Sequence, residues 1–458
     1  MVHSFWGKPV FDTIDYGSFA DWFVSLRRIM SEQSTVFKPA KWVHATNIYE
    51  VNLRQYTAEG TFAAFAKHLP RLKEMGVEVL WFMPITPISI KNRKGTLGSY
   101  YACSSYVTTN PEFGTTDEFK GLVQQIQSLG MKVIIDWVAN HTGWDHEWTI
   151  SNPDFYTQDH HGNFKPPVDN WEDVIHLNFY NPAMRKAMID AMQFWVDECG
   201  IDGFRCDMAM LVPADFWFEA RAALDKLRPL FWLGEFDQWN DEPYAHAFDV
   251  SYSWHWMHIS EEYYKNHRRM VELDKVLSDY NKKQPAHHLH SFFTSNHDEN
   301  SWNGSEYEKY GAMALPLAVF SCTWDGIPLL YSGQELPNMK RLQFFEKDEI
   351  EWKDAPALHQ FYQKLLLLRQ QNPAMQSGHE HGITWRIATD HPEQIFCFVR
   401  KNKEDEVLVL INFSDQPIVC LLHDLRVRGL FKDIFTEEEI QSTDQLSLGP
   451  WGYKVMVK

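Results

Sequence analysis

Three carboxylates in this chain, Asp207, Glu235 and Asp298, each close a short apolar run: "DGFRCDMA", "LFWLGEF" and "HSFFTSNHDEN". Arg205 precedes Asp207 by two positions, and Asn296-His297 lead into Asp298. A fourth run, "KVIIDWVANH", carries Asp136, Asn140 and His141. Carboxylates that share a cleft can divide the work of breaking a glycosidic bond: one attacks the sugar carbon while a protonated one passes its proton to the departing oxygen. Each element also has a bland alternative. Arg205 with Asp207 has a second, less favoured reading as a structural ion pair, since burying one on a strand without a purpose is expensive. Glu235 reads as an acid at a helix start, His297-Asp298 as a capping pair, and Asp136 and Asn140 as hydrogen-bonding groups in a barrel mouth. Cys206 alternates away from its two charged neighbours and reads as core.

Something must bring these residues together. Eight short runs rich in β-branched and aromatic residues recur: "NIYEVNLRQY" (47–56), "VEVLWFMPI" (77–85), 132–140, 202–209, 230–236, 247–254, 290–297 and "GIPLLYSGQE" (326–335). Between them lie stretches whose apolar residues step by three and four and end in glycine, such as 61–76, 115–130 and 181–200. Strands alternating with helices predict a parallel sheet, and eight of them predict a closed (β/α)8 TIM barrel of the α/β class. Such barrels carry their sites at the C-terminal ends of the strands, where the polar residues above fall.

The barrel is expected to occupy 46–140 and 181–376. Residues 141–180, rich in Trp, His, Asp and Pro, form too long a link to be slack and predict a functional excursion. Beyond the helix expected over 355–373, short alternating runs predict a small antiparallel β domain over 377–458. Residues 1–45 are expected to form an N-terminal extension with an amphipathic helix around 18–31.

The totals exclude several partners. The 458 residues carry a net charge of −18 without a basic block, which disfavours nucleic acid and anionic membranes. No apolar run approaches a bilayer's thickness. The N-terminal residues lack the pattern of a signal peptide, so a cytoplasmic location is expected. Six scattered cysteines without CxxC spacing read as free buried thiols. The 19 tryptophans suit either core bulk or flat sugar ligands, and Trp137, Trp144, Trp302 and Trp324 near strand ends are candidates for stacking on glucose. The histidines of "DHHGN" (159–163) and "AHHLH" (286–290) lack supporting acids at ligand spacing and read as surface loops rather than metal sites.

"DWVANHTG", "GFRCDMA", "LGEF" and "TSNHDEN" resemble, in order, the four signature segments of the α-amylase family, glycoside hydrolase family 13, and "GSYYACSSYVTTNPEFGT" (98–115) resembles the stretch after its second barrel strand. The likeness covers about 45–375, with 141–180 corresponding to a short domain B. It implies that Asp207 is the nucleophile, Glu235 the acid/base, and Asp298 the stabiliser of the transition state. It further implies that Arg205 orients Asp207, that His141 and His297 hydrogen-bond the sugar, that Tyr101 stacks on it, and that Asp136 and Asn140 support the site. Met210 and Leu211 stand where amylases of the family often place Lys-His or a His, which weakens any acceptor-side contact. Relatives often hold a structural Ca²⁺ through an Asn matching Asn140. Here His176 stands where an acid is expected, so calcium is disfavoured and no cofactor is required.

The leading expectation is an endo-acting α-1,4-glucan hydrolase acting with retention on maltodextrin, starch or glycogen. An α-glucosidase, a maltogenic enzyme or a 4-α-glucanotransferase uses the same chemistry, and a catalytically inactive glucan-binding protein is the remote alternative.

Overall fold

The computed structural model of the chain describes residues 37–237, 242–283, 285–353, 355–378 and 380–458. The helix expected at 18–31 lies outside the described residues. In chain order the first ten strands are β1 (Ile48–Val51), β2 (Val79–Phe82), β3 (Lys132–Trp137), β4 (His141–Gly143), β5 (Val174–His176), β6 (Gly203–Cys206), β7 (Phe231–Asp237), β8 (Val250–Tyr252), β9 (Leu289–Phe292) and β10 (Ile327–Tyr331). Eight of them close into a barrel in the order β1-β10-β9-β8-β7-β6-β3-β2, every pair parallel. All eight runs expected from sequence supply one barrel strand each. The excursion after β3 holds β4 and β5, which pair antiparallel as a small separate sheet.

Barrel strands are buried on both faces, which is why their sequences read as near-continuous apolar runs. The crossover helices start where the sequence supplies caps. Thr115 and Glu118 form a capping box for Thr116–Ser128, and the Asn181 side chain accepts from the main-chain N–H groups of Ala183 and Met184 to begin Pro182–Asp197. The single helix expected over 61–76 is instead two, Phe62–Ala66 and Leu69–Met75. Pro70 is the reason: it cannot donate to a preceding carbonyl and clashes with one, so it fits only in the first turn of a new helix. No described helix is long and apolar enough to cross a membrane.

Downstream of the barrel, β11 (Ile383–Arg386), β12 (Ile395–Asn402), β13 (Asp405–Asn412), β14 (Ile418–Cys420), β15 (Leu430–Asp433), β16 (Glu439–Gln441), β17 (Leu446–Leu448) and β18 (Tyr453–Val457) follow. They form a six-stranded antiparallel sheet, β11-β12-β13-β18-β15-β16, and a two-stranded one, β14-β17. This β domain packs on the barrel through Trp324, whose ring meets those of Phe398 at 4.8 Å and Phe396 at 5.7 Å. Buried Arg400 donates to the Trp324 carbonyl at 2.8 Å across the same seam. Trp324 is therefore a packing residue, contrary to the sugar-stacking expectation. All six cysteines are buried and unpaired.

Close approach of β6 to β7 places the two strands that carry Arg205 and Glu235. A Cβ on Gly203 would lie 2.1 Å from the Phe231 carbonyl oxygen, inside any allowed contact. Gly203→Ala is accordingly expected to destabilise the protein by about 1–3 kcal/mol, read as a lower denaturant midpoint. An unchanged midpoint would show that β6 and β7 can part without cost.

Candidate active site

Asp136 and Arg205 are register partners on β3 and β6, and both point into the barrel mouth. Arg205 Nη1 donates to Asp136 Oδ1 at 2.9 Å and Oδ2 at 3.1 Å, and to Asp207 Oδ1 at 2.9 Å. Its Nη2 lies 2.8 Å from Glu235 Oε2, an ion-pair distance without the alignment of a hydrogen bond. One fully buried guanidinium thus touches three carboxylates. It also lies 5.0 Å from the centre of the Trp81 ring and 5.6 Å from that of Tyr252, whose hydroxyl meets Nε at 3.2 Å. Cys206, between the two charged residues, turns outward and is wholly buried.

Two backbone irregularities aim the acids. The β7–β8 register slips between Gly234 and Asp237, and Glu235 falls within the slip. Met208, immediately after Asp207, adopts φ 40° and ψ 46°, a left-handed conformation uncommon for a side chain of its size. That turn points the Met208 N–H at Glu235 Oε2, 2.8 Å away.

Around β1 a second set closes the site. The Tyr101 hydroxyl donates to Asp136 Oδ2 at 3.1 Å and stands 2.6 Å from His297 Nε2. The other imidazole nitrogen, Nδ1, stands 2.6 Å from Glu50 Oε1. With Tyr101 donating to Asp136, Nε2–H must donate to Tyr101 while Nδ1–H donates to Glu50, so both ring nitrogens carry protons. The electrostatics agree. Burial alone would lower the His297 pKa, but Asp298 and Glu50 outweigh it and lift the imidazole to about 9. The chain Glu50–His297–Tyr101–Asp136–Arg205 therefore links three strands and two loops in one hydrogen-bonded arc.

Five carboxyls (Glu50, Asp136, Asp207, Glu235 and Asp298) face two cations, so the group cannot be fully ionised without repulsion. Burial raises Asp207 well above the carboxylate range, Arg205 pulls it back, and Glu235 and Asp136 push it up again. Asp136 rises to about 6, burial outweighing Arg205 and His297. Asp298 is the most open of the catalytic candidates, its side chain 36% exposed. The loop that bears it is anchored from beneath. Asn296 Oδ1 accepts from the Glu299 N–H at 2.8 Å, and Glu299 is ion-paired to wholly buried Lys309.

The structure thus gathers Asp136, Arg205, Asp207, Glu235, Tyr101, His297 and Asp298 in one cluster. His141 and Asn140 stand beside it at the start of the excursion. His141 reaches the Tyr101 main chain and packs edge-on to Trp171 at 5.5 Å, and burial with nearby His176 depresses it to about 3, leaving it neutral. Asn140 is wholly buried and donates from Nδ2 to His141 Nδ1 at 3.2 Å. Glu50, Trp81 and Tyr252 were not anticipated. The one available signal was Glu50 itself, a charge inside the apolar run of β1. Trp137 packs edge-on to Phe204 within the core, and Trp144 lies against Lys91, whereas Trp302 is 38% exposed at the mouth.

The donor chemistry does not suit calcium, which takes six to eight oxygens. Asn140 Oδ1 is buried without a partner, but the neighbouring side chains are the imidazoles of His141 and His176 rather than carboxylates. Among the described residues no three His, Cys, Asp or Glu side chains cluster as metal ligands do.

A closed eight-stranded barrel with carboxylates, an arginine and a histidine at its C-terminal rim holds the groups that glycoside cleavage needs. Residues 38–176 and 169–354 match the model of the alpha amylase catalytic domain, and 386–455 match that of the maltogenic amylase C-terminal domain. The chain belongs to the α-amylase family, glycoside hydrolase family 13. It is 26% identical over 396 residues to alpha-amylase MalA of Haloarcula japonica, covering 82% of this chain and 56% of that one. Among solved structures it resembles a noncanonic maltogenic alpha-amylase from Thermotoga neapolitana (TM-score 0.83, 26% identity, 91% of this chain and 99% of the other). An alpha-amylase from Lactobacillus plantarum is similar to the same degree (TM-score 0.82, 27% identity, 91% and 99%).

The Glu50–His297 pair makes a pH-dependent statement. A histidine lifted from about 6.5 when unfolded to about 9 when folded stabilises the fold fully below the lower value and loses that contribution as pH climbs through the higher. Glu50→Gln removes one of the two anions responsible. Its unfolding free energy, measured by urea titration, is expected to fall furthest below wild type near the lower limit and to converge on it toward pH 9. A gap that stays flat across the window would dismiss the pair.

Proposed function

We propose that this chain is a retaining glycosidase that cleaves α-1,4-glucosidic bonds within maltodextrin, starch or glycogen. The observation that carries the proposal is the single guanidinium of Arg205 held between Asp207 and Glu235 at the barrel's C-terminal rim. Two acids on one cation favour a state in which one is ionised and the other protonated, the division of labour that glycoside cleavage needs. Burial raises Asp207, but the charge and hydrogen bond of Arg205 draw it back toward its ionised form, and as the carboxylate it attacks the anomeric carbon. Glu235 gives its proton to the departing glycosidic oxygen. A glycosyl-enzyme ester forms on Asp207 as the carbon–oxygen bond breaks. Water then attacks the anomeric carbon from the vacated side, Glu235 takes its proton, and the carboxylate of Asp207 leaves. Two inversions return the α-anomer.

The remaining residues hold the sugar. The Tyr101 ring, held by the doubly protonated His297, provides an apolar face, Asp298 meets the sugar hydroxyls, and neutral His141 adds a further hydrogen-bonding group. Asp136 acts through Arg205 and Tyr101 rather than on the sugar. The reaction calls on no metal. A maltogenic mode of action is a second reading, favoured by the match of 386–455 to the maltogenic amylase C-terminal domain.

Two measurements test this. Asp207→Asn is expected to lower turnover by on the order of 10³-fold or more while leaving the circular dichroism spectrum and maltoheptaose binding near wild type. Activity within tenfold of wild type would remove Asp207 from the nucleophile's role. Maltoheptaose digested with and without EDTA, and resolved by length and anomer, is expected to give mid-length α-products in equal yield. Maltose as the dominant first product would select the maltogenic reading, and products longer than the substrate would show transfer.

A further inference from the structure

The site's aromatic wall continues beyond Tyr101. Phe344, in the loop after β10, is nearly parallel to Tyr101 (13° between planes, centroids 6.2 Å apart) and tilted 30° from His297 at 6.4 Å. Trp302, in the loop after β9, lies 5.4 Å from Phe344 and is 38% exposed. At these separations the rings are offset, so Phe344 presents a second apolar face beside that of Tyr101.

Barrel topology says which part of the substrate meets this face. In the closed order, β1 lies diametrically across from β7, which bears Glu235. The strands before the Tyr101 and Phe344 loops, β2 and β10, flank β1, and β9, which precedes the Trp302 loop, is the next strand beyond β10. Glu235 protonates the leaving group, so the departing part of the glucan lies on the β7 side. The part retained on Asp207 must extend the other way, toward Phe344.

The platform is also held firmly. Gln55 Nε2 donates to the Gln343 carbonyl at 2.9 Å, the Leu97 N–H donates to the Phe345 carbonyl at 3.1 Å, and the Leu342 N–H donates to Asn300 Oδ1 at 2.9 Å. Three separate barrel loops therefore fix the segment on either side of Phe344. A ring that only filled core space would be covered; this one is half-buried, with exposed Trp302 beside it.

We infer that Phe344, flanked by Trp302, is a specificity-determining residue that stacks on the glucose unit next to the cleaved one, on the side that remains bound to the enzyme. The inference rests on the glycosidase reading above. It makes the enzyme prefer substrates with at least two sugar units on the retained side.

Two chromogenic substrates isolate the contact. In 4-nitrophenyl α-glucoside only the cleaved glucose lies on the retained side; 4-nitrophenyl α-maltoside adds one more. For wild type, kcat/KM for nitrophenol release is expected to be higher on the maltoside by about tenfold or more. Phe344→Ala is expected to bring the maltoside-to-glucoside ratio close to one, and Phe344→Tyr to keep it. Because the readout is a ratio, partial misfolding of a variant cancels, and Trp302→Ala, which leaves Phe344 in place, is expected to lower the ratio less. A ratio in Phe344→Ala equal to that of wild type overturns the inference while sparing the glycosidase reading. Failure of wild type to cleave either compound or maltoheptaose overturns both.

Discussion

Arg205 carries its charge where its side chain has no access to water, and the rest of the site is arranged around that fact. A buried guanidinium is tolerable only if its donors find acceptors, and removing a partner from such a pair costs several kcal/mol. Asp136, Asp207 and Glu235 supply the acceptors, while the rings of Trp81 and Tyr252 cover the remaining surface. Each of those five side chains comes from, or directly follows, a barrel strand or the loop beyond it, so the geometry of the sheet sets the geometry of the charges. The same crowding keeps protons in the cluster. An isolated aspartate in water would be ionised and idle, whereas acids sharing one cation hold a proton that can be moved.

Much of this was legible in the sequence because alternation along a strand is a strict rule. "GFRCDMA" had to place Arg205 and Asp207 on one side and Cys206 on the other, and the structure does so. Strand-end polarity located Asp136, Glu235 and His297 for the same reason. The readings that went astray were those in which tertiary contacts decide. Trp324 is near a strand end, but its strand end faces the β domain, whose Phe396 and Phe398 claim the ring. Pro70 lay inside an otherwise regular helical pattern, and its missing N–H divided it.

Glu50 escaped notice because the pair it forms joins residues far apart in the chain and adjacent only once the barrel is closed. Nothing local distinguishes a glutamate that meets a histidine across the seam from one that merely ends a strand. Phe344 is similar, since its importance lies in being parallel to Tyr101 and opposite β7, and neither relation has a sequence signature. The left-handed Met208 belongs to the same group. A methionine gives no hint of positive φ, yet its turn is what directs a main-chain N–H to Glu235.

The arc from Glu50 to Arg205 has a bearing on assembly. β1, the first barrel strand, pairs with β10, the last, and the Tyr49 hydroxyl donates to Glu335 just beyond it. His297 takes its orientation from Glu50 on that first strand, and Tyr101 and Asp136 take theirs in turn. Contacts of such long sequence separation are formed only after most chain entropy has been given up. A nascent or truncated chain lacking β10 would hold Asp207, Glu235 and Asp298 yet leave β1 without one of its two neighbours. Competence is thus a property of the completed ring, and the appearance of activity during refolding reports ring closure.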